Sequence, residues 1–369
     1  MYDESIKAKN LGDIYRTIYY EGPCSRQTLA TRLGLSLPTV TNNLNHLKTE
    51  GLIYNAGSFE STGGRKANML RCIADARFSV GIDVTKSHLS IVIINLESKI
   101  IASKRMRIPF KDTDDYYHFV AKKLECIIAE HSIPKSKLLG VGISLPVIVG
   151  EDQKSVSYAT VIEISGDIYP KLQKYLPYPF LLFNDANSGG LAEAWISPPK
   201  KSEVYLSLSS SVGGATITGR NISIGNNCRA SEFGHMTIVP NGRKCYCGQN
   251  GCLNAYCSAK LLANLTNGDL KKFFDDLKDN EGFQQIFDEY LDHLALAVNN
   301  LRMCYDCDVI LGGNVGAYMT DHIDTLREKA IALNPYEQDA SYIRVCHYKT
   351  EAAAAGAALY YVNQFVLSI

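Results

Sequence analysis

Apolar residues recur at helical spacing through the first fifty positions, and residues 11–54 read as three helices. Ser25 is a good N-cap for a short second helix, Arg26 to Leu33. Gly34 ends it, because glycine readily takes the left-handed conformation that a helix stop needs. Ser36 caps a third helix, with Pro38 in its first turn, where a missing N–H costs nothing. Leu37, Val40, Leu44 and Leu47 form one apolar face of that helix, and Thr39, Thr41, Asn42, Asn43 and His46 lie off it. A Ser-, Gly- and charge-rich stretch, Ser58 to Lys66, then marks a loop or linker, and a break is expected near residues 55–77. Beyond it the period changes. Ser79 to Asp83, Leu89 to Asn95 and Ile100 to Ile108 read as a meander of strands, which predicts an α/β domain with a mixed sheet. Later strands are expected at Leu139–Ser144, Phe180–Phe183, Val204–Ser209 and Val309–Leu311. Long helices are expected at Tyr116–His131, Asn187–Trp195, Phe283–Cys304 and Glu351–Val362. No fixed-period repeat is visible, although a duplicated half-domain would leave little trace in the sequence.

With 369 residues there is room for two or three domains, and 46% apolar with 21% charged residues fits a globular protein with a full core. No apolar run reaches eighteen residues, so no membrane span is expected. Met1 to Asn10 lacks the apolar core of a signal peptide, which makes the cytoplasm the default location. Net charge is zero, so any attraction to nucleic acid must come from a local patch. Residues 1–71 hold nine Lys or Arg against six Asp or Glu, a net of +3.

Helix, short glycine-containing turn and capped helix together form the helix-turn-helix pattern. Ser36, Thr39, Thr41, Asn42 and Asn43 are short polar side chains suited to base edges and phosphates in a major groove. Gly51 to Arg71 would be a wing, whose Arg65 and Lys66 could follow a phosphate track or enter a minor groove. The same pattern also fits a three-helix interaction or dimerisation module.

Five of the eleven cysteines lie between Cys228 and Cys257. His235, Cys245, Cys247 and Cys252 place one imidazole and three thiolates within eighteen positions, a full ligand set for a closed, structural zinc site. Gly248 and Gly251 permit the tight turns needed, and Cys257 is a lower-ranked substitute ligand. A set of buried free thiols is the alternative. Cys304 and Cys307 stand without a second pair, and a buried structural role is expected for them.

Several of these segments resemble one family. Glu232-Phe233-Gly234-His235 followed by Cys245-x-Cys247-Gly248-x-x-Gly251-Cys252 looks like the signature of the ROK family of repressors, open reading frames and kinases. Asn184-Asp185-Ala186-Asn187 running to Ala192-Glu193-Ala194, and the turn Leu311-Gly312-Gly313-Asn314, resemble further family segments. Ser61-x-Gly63-Gly64-Arg65-Lys66 resembles the wing of its repressor branch, the xylose- and N-acetylglucosamine-type repressors. The resemblance implies a winged helix-turn-helix over residues 1–71. An actin-like, ribonuclease-H-like two-lobed sugar-kinase fold would follow over 72–369, with a zinc loop at about 235–252. It further implies sugar contacts from Asn184, Asp185, Glu232 and His235, the zinc holding the loop that carries the last two. In family kinases the residue matching Asp185 is the general base.

Four departures qualify that expectation. Family kinases open with Asp-x-Gly-Gly-Thr against the ATP phosphates, whereas this chain reads Asp83-Val84-Thr85-Lys86-Ser87. A later Gly-Thr-Gly turn is Ser209-Ser210-Ser211, and a Pro-Gly is Pro146-Val147. The glutamate that follows the last zinc cysteine and contacts sugar in the kinases is Asn254, an amide that can still bond hydroxyls. Phosphoryl transfer depends on positioning the phosphates, so the first two losses predict a sensor without kinase activity. The expected protein is therefore a homodimeric or homotetrameric repressor of double-stranded operator DNA with a sugar or sugar derivative as effector. The alternatives are an active ATP-dependent sugar kinase that carries a DNA-binding module, or a zinc-stabilised assembly domain that binds no sugar.

Overall fold

The computed structural model describes residues 2–59, 67–197 and 201–369. Helices α1 (Tyr2–Glu21), α2 (Arg26–Leu33) and α3 (Leu37–Thr49) are followed by a two-stranded antiparallel wing, β1 (Ile53–Ser58) and β2 (Asn68–Cys72). Helix α1 begins some ten residues earlier than the apolar period suggests. Residues 5–9 face solvent, so they are mostly polar and include an exposed Ile6. Both predicted caps form. The Ser25 hydroxyl accepts from Thr28 N–H at 3.0 Å, and Ser36 accepts from Thr39 N–H at 3.2 Å. Gly34 closes α2 at φ 64°. Val40, Leu44 and Leu47 are buried, but Leu37 is 39% exposed, because the first helical residue projects beyond the core.

The remainder is two half-domains of one topology. The first runs β3 (Phe78–Val84), β4 (Leu89–Asn95), β5 (Ile100–Met106), α4 (Asp114–Glu130), β6 (Leu138–Leu145), β7 (Val147–Val149), β8 (Val156–Ala159), α5 (Ile168–Gln173), β9 (Phe180–Asn184) and α6 (Asp185–Ile196). The second runs β10 (Ser202–Leu208), β11 (Val212–Thr218), β12 (Asn221–Ile222), α7 (Asn254–Cys257), α8 (Ala259–Ala263), α9 (Leu270–Asp276) and α10 (Glu281–Tyr305). It closes with β13 (Asp308–Gly312), α11 (Gly313–Gly316), α12 (Ile323–Ile331), β14 (Ile343–Val345) and α13 (Ala352–Ser368).

Sheet order is β5-β4-β3-β6-β9 in one half and β12-β11-β10-β13-β14 in the other. In each, an antiparallel meander is joined to two parallel strands. Such a mixed sheet lays down its parallel strands through crossover helices, and here α6 and α13 fill the space between the sheets. Helix α13 packs on β3, β4 and β6, and α6 packs on β10 and β11. The two helices touch backbone to backbone: a Cβ on Gly356 would lie 1.7 Å from the Ser188 carbonyl oxygen. The N-terminal helices pack directly on this body, while residues 60–66 of the expected loop or linker lie outside the described residues. Ile14, Tyr15 and Ile18 share one buried cluster with Trp195, Leu96 and Val362. Cys307 is buried as expected, whereas Cys304 is exposed at the end of α10. Among the described residues no helix is long and apolar enough to cross a membrane.

Candidate functional site

Each half places the C-terminal ends of its parallel strands toward one cleft, where ligands bind in open α/β sheets. A cavity of ≈ 350 Å³ sits there, lined by Asn184, Asp185, Gly213, Arg229, Glu232, His235 and Tyr246 among others. Strand β9 ends at Asn184, which caps α6. Its Oδ1 accepts from Asn187 N–H at 2.9 Å and its Nδ2 donates to the Val147 carbonyl at 3.0 Å. One amide proton therefore remains for a ligand. Asp185 follows, its Oδ1 accepting from Ala186 N–H at 2.9 Å. Burial, with the charges of Asp83 and then Glu232, raises its carboxyl to about 7. Asp83, buried on β3 and bonded by the Ser144 hydroxyl at 3.0 Å, is raised to about 6 by burial. Burial likewise raises Glu232, with His235 opposing the shift. Two carboxylates, an amide, a guanidinium and two phenols around this cavity suit a neutral, hydroxyl-rich ligand that both donates and accepts.

The His235–Cys252 loop forms one wall. The donor atoms of His235, Cys245, Cys247 and Cys252 all lie within 4.8 Å of one another. Cys247 Sγ is 3.8 Å from Cys252 Sγ, and Cys245 Sγ is 3.9 Å from His235 Nδ1. Zinc–sulfur bonds of ~2.3 Å in a tetrahedron give sulfur–sulfur edges of ~3.8 Å, so the four donors fit such an ion. His235 turns Nδ1 toward the thiols, and its Nε2 lies 3.2 Å from the Tyr246 hydroxyl at the cavity. Cys257 lies outside the cluster: it is buried 3.7 Å from the Tyr290 carbonyl.

Asn254 departs from the expected placement. It is 8% exposed, its Oδ1 accepts from Val212 N–H at 2.8 Å, and its Nδ2 points at Cys245 Sγ. Those bonds staple the cysteine loop to β11, and Asn254 does not line the cavity. Arg229, Tyr246, Tyr158 and Thr160 do line it and were not foreseen. Only Tyr246, inside the C-x-C, carried a signal.

A second cleft of ≈ 550 Å³ adjoins the first across Asp185, Pro146 and Ser211, with Lys86, Arg105 and Lys260 on its walls. At its floor the β3–β4 turn is closed on itself. Thr85 N–H donates to the His88 carbonyl at 2.9 Å, and His88 N–H to the Thr85 hydroxyl at 2.9 Å. Those amides are spent inside the turn and cannot also cradle phosphate.

In the N-terminal module, Ser36 is occupied in capping, Thr41 donates to the Leu37 carbonyl at 2.8 Å, and Asn43 donates to the Thr39 carbonyl at 2.9 Å. Asn42 and His46 are exposed on the outer face of α3, with Thr39 and Thr41 half-buried beside them. Arg65 and Lys66 lie outside the described residues.

The family model described as ROK family matches residues 79–364, and one described as winged helix-turn-helix DNA-binding matches residues 8–54. The chain is 28% identical over 275 residues to the xylose repressor of Bacillus subtilis, covering 74% of this chain and 72% of that one. It is 25% identical over 273 residues to the N-acetylglucosamine repressor of Escherichia coli O6:H1, covering 71% and 67%. Among solved structures, a ROK family transcriptional regulator homologous to the E. coli MLC protein superposes with a TM-score of 0.75 at 19% identity, over 98% of this chain and 97% of that one. A ROK family glucokinase from Streptomyces griseus, in complex with glucose and AMPPNP, superposes with a TM-score of 0.63 at 20% identity, over 77% and 98%.

Proposed function

Given that the chain belongs to the ROK family, we propose that it is a sugar-responsive transcriptional repressor acting on operator DNA in the cytoplasm. One observation carries the reading: a capped helix-turn-helix shares a buried cluster with Ala192 and Trp195 of α6, the helix whose first residue, Asp185, lines the cavity. Helix α3 would enter the major groove, with Thr39, Thr41, Asn42 and Asn43 toward the bases, Ser36 at its N-terminus, and Arg65 and Lys66 on the backbone. A homodimer or homotetramer would place two such helices on a palindromic site. A monosaccharide or close derivative would lie among Asn184, Asp185, Glu232 and His235. Asp185 then accepts hydrogen bonds from hydroxyls rather than removing a proton. Zinc on His235, Cys245, Cys247 and Cys252 would hold the loop that presents Glu232 and His235; when bound it supplies structural rigidity, its tetrahedron being closed by protein donors. To change DNA affinity, the sugar must bind one of the two states more tightly.

The test is fluorescence anisotropy on the protein's own promoter DNA, titrated with D-xylose, N-acetylglucosamine and D-glucose. DNA affinity that moves tenfold or more with one of them supports the reading, and binding of a sugar with no effect on DNA defeats it. A second reading, an active sugar kinase, is favoured by the cationic cleft beside Asp185. The closed Thr85–His88 turn opposes it. ADP release that needs sugar and disappears in Asp185→Asn would establish the kinase.

A further inference from the structure

Two elements run from the cavity wall to the same spot on the DNA-binding module. Helix α6 begins at Asp185 in the wall and ends about 17 Å further on, near Trp195. Strand β11 begins at Val212, Gly213 and Gly214, also in the wall, and its hairpin turn delivers Arg220. The two ends meet. The Arg220 guanidinium carbon lies 4.8 Å from the Trp195 ring centroid and 4.4 Å from that of Tyr20, in the last turn of α1. Arg220 Nε is buried and makes no hydrogen bond, so the ring faces hold the cation. Next to it the Tyr19 hydroxyl donates to the Leu96 carbonyl at 2.5 Å.

Neither element has slack along its length. Besides the Gly356–Ser188 contact, a Cβ on Gly190 would lie 2.5 Å from Ala215 Cβ, so α6 and β11 move together. The Glu193 carboxylate accepts from the N–H groups of His347 and Tyr348 at 2.9 and 3.1 Å, tying the end of α6 to the segment between β14 and α13. The joint itself has room. It borders a cavity of ≈ 290 Å³ whose other walls include Tyr19, Tyr20 and Arg71 of the DNA-binding module. Packed elements of this kind shift as units between discrete arrangements, and an open pocket at their end is where such a shift can be accommodated.

We propose that Trp195, Arg220 and Tyr20 form the joint through which ligand in the cavity changes the DNA-binding module, with α6 and β11 as the connecting members. The proposal rests on the repressor reading above for what the module binds, but the movement it describes does not depend on DNA. These three are positioning residues, since none touches the ligand cavity.

The chain has a single tryptophan, and it is Trp195. Its fluorescence therefore reports the joint without any label. The experiment uses the full chain with D-xylose, N-acetylglucosamine and D-glucose, taking forward whichever binds by calorimetry. Wild-type Trp195 emission is expected to change on saturation. In Arg220→Ala and Tyr20→Ala, the calorimetric Kd for the sugar should stay within twofold of wild type. The factor by which saturating sugar alters DNA affinity should collapse from tenfold or more to less than twofold. Arg220→Lys, which keeps a cation over the rings, should restore part of it. A joint serving stability alone would lower Tm and leave that factor intact. Unchanged Trp195 emission with sugar bound, or a full sugar effect in Arg220→Ala, overturns the proposal. Emission that responds in wild type while DNA affinity does not would overturn the repressor reading and uphold the joint. No heat with any of the three sugars would count against both.

Discussion

Replacing Asp185 with Asn should remove a large part of the protein's sensitivity to rising pH. Burial, with the nearby charges of Asp83 and Glu232, raises the Asp185 carboxyl from 3.8 to about 7 in the folded state. A carboxyl that holds its proton more tightly folded than unfolded stabilises the fold fully below its unfolded pKa, and that contribution is lost as pH rises through the folded value. The window is therefore from about pH 4 to about pH 7. Some three units at ~1.4 kcal/mol each give up to about 4 kcal/mol over the whole window. Between pH 5 and pH 8 roughly 2 units remain, or about 3 kcal/mol. Asp83, itself raised to about 6, shares the repulsion and relaxes when Asp185 is neutralised, so the measured difference should fall toward 2 kcal/mol. Asparagine keeps the side chain's shape and can still accept the 2.9 Å bond from Ala186 N–H. The assay is urea unfolding of zinc-loaded wild type and Asp185→Asn at half-unit steps from pH 5 to pH 8. Histidine titrations are common to both proteins and cancel in the difference. Wild type should lose stability relative to the variant as pH rises. Parallel profiles would show that the Asp185 carboxyl is solvated like a surface group, and the account of its chemistry by burial and neighbouring charge would fail.

Other consequences are as direct. Elemental analysis should find one zinc per chain, and Cys252→Ser should lose it and lower Tm; full thermal stability without metal would refute a structural ion. Gly356→Ala drives a methyl group into the Ser188 carbonyl, 1.7 Å from the ideal Cβ position, and should cost about 3 kcal/mol or more by urea unfolding. An unshifted urea midpoint would mean that α6 and α13 are not in backbone contact. Ser36→Ala removes the bond to Thr39 N–H and should cost ~1 kcal/mol at the start of α3. Hydrogen exchange would register it as lost protection at the Thr39 amide, and anisotropy as severalfold weaker operator binding.

Features written within a few residues were the readable ones. Ser25 and Ser36 accept from amides three positions on, Gly34 N–H donates to the Ala30 carbonyl four positions back, and each forms the cap its residue type favours. The thiols of Cys247 and Cys252 are five residues apart and meet at 3.8 Å through turns the chain makes locally. Strand β4 is buried on both faces, and its Ile91–Ile94 reads as a continuous apolar run. Strand β11 was missed, because Gly213, Gly214 and two threonines leave no apolar run, although it supplies part of the cavity wall. Leu37 has the right period and the wrong exposure, since periodicity names a face and not where the core ends.

The instructive case is Asn254. Resemblance assigns that position to the ligand. Here its amide joins Val212, 42 residues earlier, to the cysteine loop. A glutamate there could accept from Val212 N–H but could donate nothing toward a thiolate. The asparagine can do both, so the exchange gives up a cavity contact and gains a second tie between β11 and the cysteine loop. Strand β11 is the member that ends at Arg220, against Tyr20 and Trp195. A change read in the sequence as altered ligand recognition is, in the fold, a tie between β11, whose first residues line the cavity, and the cysteine loop that forms another of its walls.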